Sequence, residues 1–197
     1  MPRPANLGLV RGDVNHARYD ARMTDDLRYP TGTFTFDPDV TPEKRAKAIV
    51  AIRDAPAAIR DALKGMTDAQ LNTPYRPGGW TARQVAHHVP ESHMNAYIRF
   101  KLALTEENPT IKPYKEDAWS SLPDVSREPV ETSVVLLEAL HKRWVTLLET
   151  MKPADFERPF FHPQQGKQLT LDWLLQLYAW HGKHHAAHIR NVRRGPA

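Results

Sequence analysis

The chain has 197 residues, 41% of them hydrophobic, and 27 Lys and Arg against 23 Asp and Glu leave a net charge of +4. That suits one domain with a real core, and so small a charge, spread along the chain, argues against nucleic-acid binding as the purpose. The absence of cysteine excludes disulfides, a thiol nucleophile of the protein's own and thiolate metal ligands, and it fits a reducing cytoplasm; no apolar run approaches the roughly 20 residues of a membrane span.

Residues 1–26 open on a polar, aperiodic stretch and are expected to be a disordered extension ahead of one domain over 27–197. The first helix starts at Thr41-Pro42-Glu43, a cap, a proline at N1 and an acid in the first turn, and carries the stripe Ile49, Ile52, Pro56, Ile59, Leu63 up to Gly65. Pro56 predicts a kink or break there. The second helix follows Gly78-Gly79-Trp80, is capped by Thr81, and places Val85, His88, Ser92, Asn95 and Arg99 on one face, with Pro90 predicting another bend.

A connection from Glu106 to Glu128, with three prolines, is long enough to be functional and to cross the end of a bundle, so helices two and three need not be neighbours. The third helix spans about 130–151 with the stripe Val134, Leu137, Leu140, Trp144, Leu148, Met151. Residues 160–169 suggest a short turn or hairpin. The fourth helix, capped by Thr170, ends on Arg190, Arg193 and Arg194, cations suited to a helix C-terminus. The fold class is all-α, a four-helix bundle with a long loop between helices two and three.

In the fourth helix the inward stripe is Leu171, Leu174, Tyr178, His181, His185, His188, Val192, with histidines where a core expects leucines. Each imidazole carries a donor and an acceptor to be satisfied, and histidines at i and i+4 can aim at one point. His88, on the inward stripe of helix two, completes a three-imidazole set with open positions, suited to zinc, nickel or another divalent ion. His87 and His184 point about 100° away from their neighbours. His188 is read as a partner of the pair or a core residue, with a fourth ligand the alternative. His93 lies off the His88 face, and His16, His141 and His162 are read as structural or surface residues.

Trp80 through His88, the block from Ser92 to Leu102, and Trp180-His181 through Ile189 together resemble the DinB-like superfamily, and within it the YfiT group of metal-dependent hydrolases. The likeness runs from about Leu27 to Arg194. It implies a bundle of DinB type, one divalent metal ion per subunit (zinc first, nickel as the alternative) held by His88, His181 and His185, and a cytoplasmic homodimer. Pro90 departs from that pattern.

Such a site can make a nucleophile of water at neutral pH, which supports hydrolysis of a small-molecule substrate. The general base is not evident, since Gly182 stands where H-E-x-x-H enzymes carry glutamate; Glu116 and His184 are the candidates. The superfamily also contains transferases that join a low-molecular-weight thiol of bacillithiol type to electrophiles. For these no separate base is needed, and Arg99, Lys101 and Lys112 are candidates to hold the cofactor's acidic groups. A stress-related binding protein and a structural metal are the remaining readings; neither nucleic acid nor membrane is expected as a partner.

Overall fold

The computed structural model describes residues 27–194, so the expected extension over 1–26 lies outside the described residues. Four long helices carry the fold: α1 (Pro42–Leu63), α2 (Ala82–Thr105), α3 (Val130–Thr150) and α4 (Leu171–Arg194). Their starts follow from side-chain caps. Thr41 accepts from the Lys44 amide, Thr81 and Gln84 form a reciprocal capping box, and Thr170 Oγ1 accepts from the Trp173 amide.

Each helix packs on two others, giving the cyclic order α1, α4, α2, α3. Helices α1 and α2, consecutive along the chain, therefore face each other across the bundle, whereas α2 and α3 are neighbours despite the long connection. That connection is not irregular throughout: it holds two helical turns, Glu116–Trp119 and Pro123–Arg127. Between α3 and α4 lies the hairpin β1 (Pro159–His162) and β2 (Lys167–Thr170), antiparallel with Phe160 opposite Leu169.

The core divides into two apolar clusters. One gathers Ile52, Phe100, Trp144, Leu148 and Phe160 around the start of α4; the other gathers Ile59, Val85, Val89, Leu137 and Ile189 near its end. Between them the core turns polar, with His93, His141 and His185 all buried. On α3 the inward row is Val134, Leu137, His141, Trp144, Leu148 rather than the row through Leu140, which is half-buried. The regular three-and-four step puts a histidine in the core there. At the head of α4 a forked ion pair, Arg45 Nε and Nη2 to the two carboxylate oxygens of Asp172 at 2.8 and 2.7 Å, ties α1 to α4.

No break interrupts either helix at its proline: α1 runs through Pro56 and α2 through Pro90. A helical proline leaves the carbonyl four residues back without its usual donor. For Pro56 that carbonyl is Ile52, and a side chain from α3 takes it: His141 Nδ1 donates to Ile52 O at 2.6 Å. The proline thus creates the buried acceptor that this histidine satisfies.

Gly182 marks where α4 meets α1. A Cβ on it would lie 2.7 Å from the Ala55 Cβ. Ala55 cannot rotate its methyl group away, so Gly182→Ala should gain roughly 0.5–1 kcal/mol of helix propensity and lose about 1–3 kcal/mol to overpacking. A lowered melting temperature is expected, with recovery when Ala55→Gly is added. An undiminished melting temperature in the single variant would show that the helices simply move apart.

Candidate metal centre

His88, His181 and His185 come together although α2 and α4 are far apart in sequence. One ring nitrogen from each lies within 4.8 Å of the others, and the His88 ring centroid is 5.4 and 5.0 Å from those of His181 and His185. Burial pushes the His88 imidazole down to about 4, and burial followed by the neighbouring imidazoles holds His181 and His185 well below the usual range. All three are neutral at neutral pH, the state in which imidazole ligates metals.

The hydrogen-bond partners decide which nitrogen carries the proton. Ile52 O can only accept, so His141 Nδ1 is protonated and its Nε2 is a lone pair. His93 Nδ1 lies 2.8 Å from that lone pair and must donate, leaving His93 Nε2 as an acceptor. His181 Nδ1, 3.1 Å away, then donates to His93, so His181 Nε2 is bare. Burial keeps His93 and His141 neutral, His141 at about 4, as the chain requires.

A second chain runs the same way. Arg28 O accepts from His188 Nε2 at 3.1 Å, so His188 Nδ1 is a lone pair. His185 Nδ1, at 3.3 Å, donates to it, and His185 Nε2 is bare. The two bare nitrogens, His181 Nε2 and His185 Nε2, face each other at 3.1 Å. Two lone pairs at that distance repel unless a cation lies against them. His88 adds a buried Nδ1 without a partner. The donor set therefore fits a divalent cation, with each helix-four imidazole oriented through its other nitrogen.

The triad opens on a cavity of about 900 Å³, whose wall includes Tyr75, Trp80, Tyr114 and Trp180. Glu116 and His184 both line it. His184 is stacked on Trp180 at 4.2 Å and hydrogen-bonded to Thr31 Oγ1 at 3.3 Å, and burial pushes it down to about 3. Of the three basic candidates only Arg99 reaches this wall. Lys101 is exposed on the outer face, over the Tyr97 ring, and Lys112 is exposed without lining the cavity.

His87 turns to α3, where its Nδ1 meets Ser133 Oγ at 2.7 Å. His93 and His141, which stripe reading left aside, form the chain behind His181; the regular row on α3 is the signal that finds His141. His188 orients His185, and its stacking on Tyr75 at 3.9 Å holds it against that wall. Gly182 faces α1, so a glutamate there could not serve this cavity without parting the helices.

The chain and its fold have known counterparts. A family model described as the DinB superfamily matches residues 51–189, which include all three histidines of the triad. The chain belongs to the DinB superfamily. Its relatives include proteins provisionally named metal-dependent hydrolases: one from Bacillus mycoides, 56% identical over 168 residues that cover 85% of this chain and 96% of that protein, and one from Bacillus cereus, 55% identical over 169 residues covering 86% and 96%. Among solved structures, YfiT from Bacillus subtilis superposes with a TM-score of 0.83 at 47% identity, covering 86% of this chain and 97% of that one. It is described as a probable metal-dependent hydrolase with an unusual four-helix bundle topology. Members of the DinB superfamily this similar share the fold, so the bundle order described above belongs to that topology.

Proposed function

We propose that the chain is a metal-dependent hydrolase of small molecules, in which His88, His181 and His185 hold a single divalent ion, zinc or nickel. The observation that carries this reading is the pair of unprotonated Nε2 atoms facing each other 3.1 Å apart beside a third neutral imidazole. Such an ion, when bound, supplies Lewis acidity and a nucleophile drawn from water at neutral pH. The hydrolase names of the relatives support the same class.

The protein's own groups divide the remaining work. The aromatic wall shields the cavity and packs the body of the substrate. Glu116 accepts the proton of the attacking water. The other carboxylate of the wall, Asp117, is engaged as the acceptor of Trp80 Nε1–H at 3.0 Å, and His184, depressed by burial, is too weak a base at neutral pH. Glu116→Gln should lower kcat about 10²–10⁴-fold while leaving metal content unchanged. Wild-type turnover in that variant would remove Glu116 from the mechanism.

The test of the function itself is turnover of a panel of esters and amides by zinc- or nickel-loaded protein, lost on chelation and restored by the ion. One observation favours a second reading, transfer of a low-molecular-weight thiol. Among the described residues the hydrogen bonds of His181 and His185 run to other imidazoles and, through them, to backbone carbonyls, with no carboxylate among them. A thiol nucleophile needs no base at that place. Conjugation of a thiol to an electrophile, with no ester or amide turnover in its absence, would select this reading over hydrolysis.

A further inference from the structure

Arg99 lies on the same face of α2 as His88 and Ser92, lines the cavity, and is only 8% exposed. Among the described residues no carboxylate lies within ion-pair distance of its guanidinium, and none of their hydrogen bonds involves it. The contrast with Arg45 is direct, since that arginine is gripped at both ends by Asp172. Its guanidinium faces the cavity rather than a protein partner, so a ligand entering the cavity is what can bring the missing charge.

The neighbours narrow what that ligand is. Tyr178 brings no negative charge to Arg99: its neutral hydroxyl donates to Ser92 O at 3.0 Å and lies 3.1 Å from Ser92 Oγ. His162, at the end of β1, lines the same cavity and has a buried Nδ1 without a partner. Burial, followed by the nearby charge of Arg99, lowers its basicity, so it offers a neutral ring nitrogen rather than a second cation. One fixed positive charge with a planar fork, beside one neutral ring, matches a monoanionic carboxylate. A dianionic phosphate monoester would set its second negative charge against the neutral His162 ring; the cavity's other arginines, Arg28 and Arg76, sit on separate segments, Arg76 donating to Pro77 O at 3.0 Å.

We propose that Arg99 and His162 form a carboxylate subsite that takes the acidic end of the substrate. Resting on the hydrolase reading, the substrate is an ester or amide carrying a free carboxylate remote from the bond that is cleaved. Residues 88 and 99 are three turns apart on α2, about 16 Å along the axis. The arginine side chain leans back toward the helix N-terminus and shortens that span. An extended molecule is required, with its middle on the aromatic wall.

The experiment uses full-length protein, as isolated and after chelation, with 4-phenylbutyrate as the acid probe, 4-phenylbutan-1-ol as its neutral counterpart and phenyl phosphate as the dianion. Binding is measured by calorimetry. In both preparations the acid should bind at least tenfold more tightly than the alcohol and more tightly than the phosphate, and Arg99→Gln should reduce the acid to the affinity of the alcohol. His162→Phe should weaken the acid several-fold. If Arg99→Gln fails to fold by circular dichroism, Arg99→Lys, which keeps the charge and loses the fork, should show reduced acid affinity with an unchanged melting temperature. Equal binding of acid and alcohol by the wild type, or undiminished acid binding by the Arg99 variants, would overturn the subsite; tighter binding of the phosphate would overturn its carboxylate assignment. The chelated arm keeps the two readings apart. An Arg99-dependent preference without metal-dependent turnover sinks hydrolysis and leaves the subsite, and turnover without the preference does the reverse.

Discussion

His181→Ala is expected to leave a protein that retains no stoichiometric metal and has no metal-dependent turnover. Two imidazoles from different helices would remain, and one of the two bare nitrogens would be gone. The variant also leaves His93 Nε2 buried as an acceptor without its donor, at a cost of about 1–3 kcal/mol. A lower melting temperature should therefore accompany the metal loss. His87→Ala and His184→Ala serve as controls: the first removes a contact to Ser133 on α3, the second a cavity wall, and both should keep the ion. Metal analysis after dialysis against a zinc buffer decides the matter. A full equivalent of zinc in His181→Ala would refute the proposed ligand set.

The second large effect is expected at a residue that touches neither the cavity nor the triad. His141→Leu should weaken zinc binding about 10–100-fold, because His93 loses the acceptor that holds its Nδ1 proton and so no longer presents a lone pair to His181. Stability should fall too, since Ile52 O loses its donor and Pro56 cannot supply one. These two consequences can be separated. Adding Pro56→Ala restores an amide hydrogen to Ile52 O within α1, so the double variant should regain melting temperature but not zinc affinity. Imidazole nitrogen spectra of the wild type should show His181 and His93 each protonated at Nδ1. Zinc affinity unchanged in His141→Leu, or restored together with stability in the double variant, would reduce His141 to a packing role.

Much of the candidate site was legible before any fold was known, and for a local reason. An α-helix repeats every 3.6 residues, so the shared placement of His181, His185 and His88 follows from spacing alone, as does the turn of His87 away from them, toward α3. The same rule applied to α3 selects His141, but a leucine at position 140 competes for the row and conceals it. Prolines read locally tell less: Pro56 argues for a kink or break and Pro90 for a bend, both helices continue through them, and at Pro56 the free carbonyl is met by a residue 89 positions away. Gly182 is ambiguous in the same way. Beside His181 it looks like a missing catalytic glutamate, whereas its neighbour across the bundle makes it a packing contact. Three cations were equivalent candidates by composition, and burial together with a place on the cavity wall separates Arg99 from Lys101 and Lys112.

Helix periodicity, caps and residue chemistry are properties of short stretches, and they were enough to name the bundle, its four rods and the three imidazoles of the proposed centre. Tautomers, partners and vacancies are not local. Which nitrogen of His181 is bare depends on a carbonyl of α1 reached through α2 and α3, and whether a buried arginine lacks a counter-ion depends on every wall of the cavity. Those facts exist only when separate segments are packed against one another, because a hydrogen bond joins atoms by distance in space and not by position along the chain.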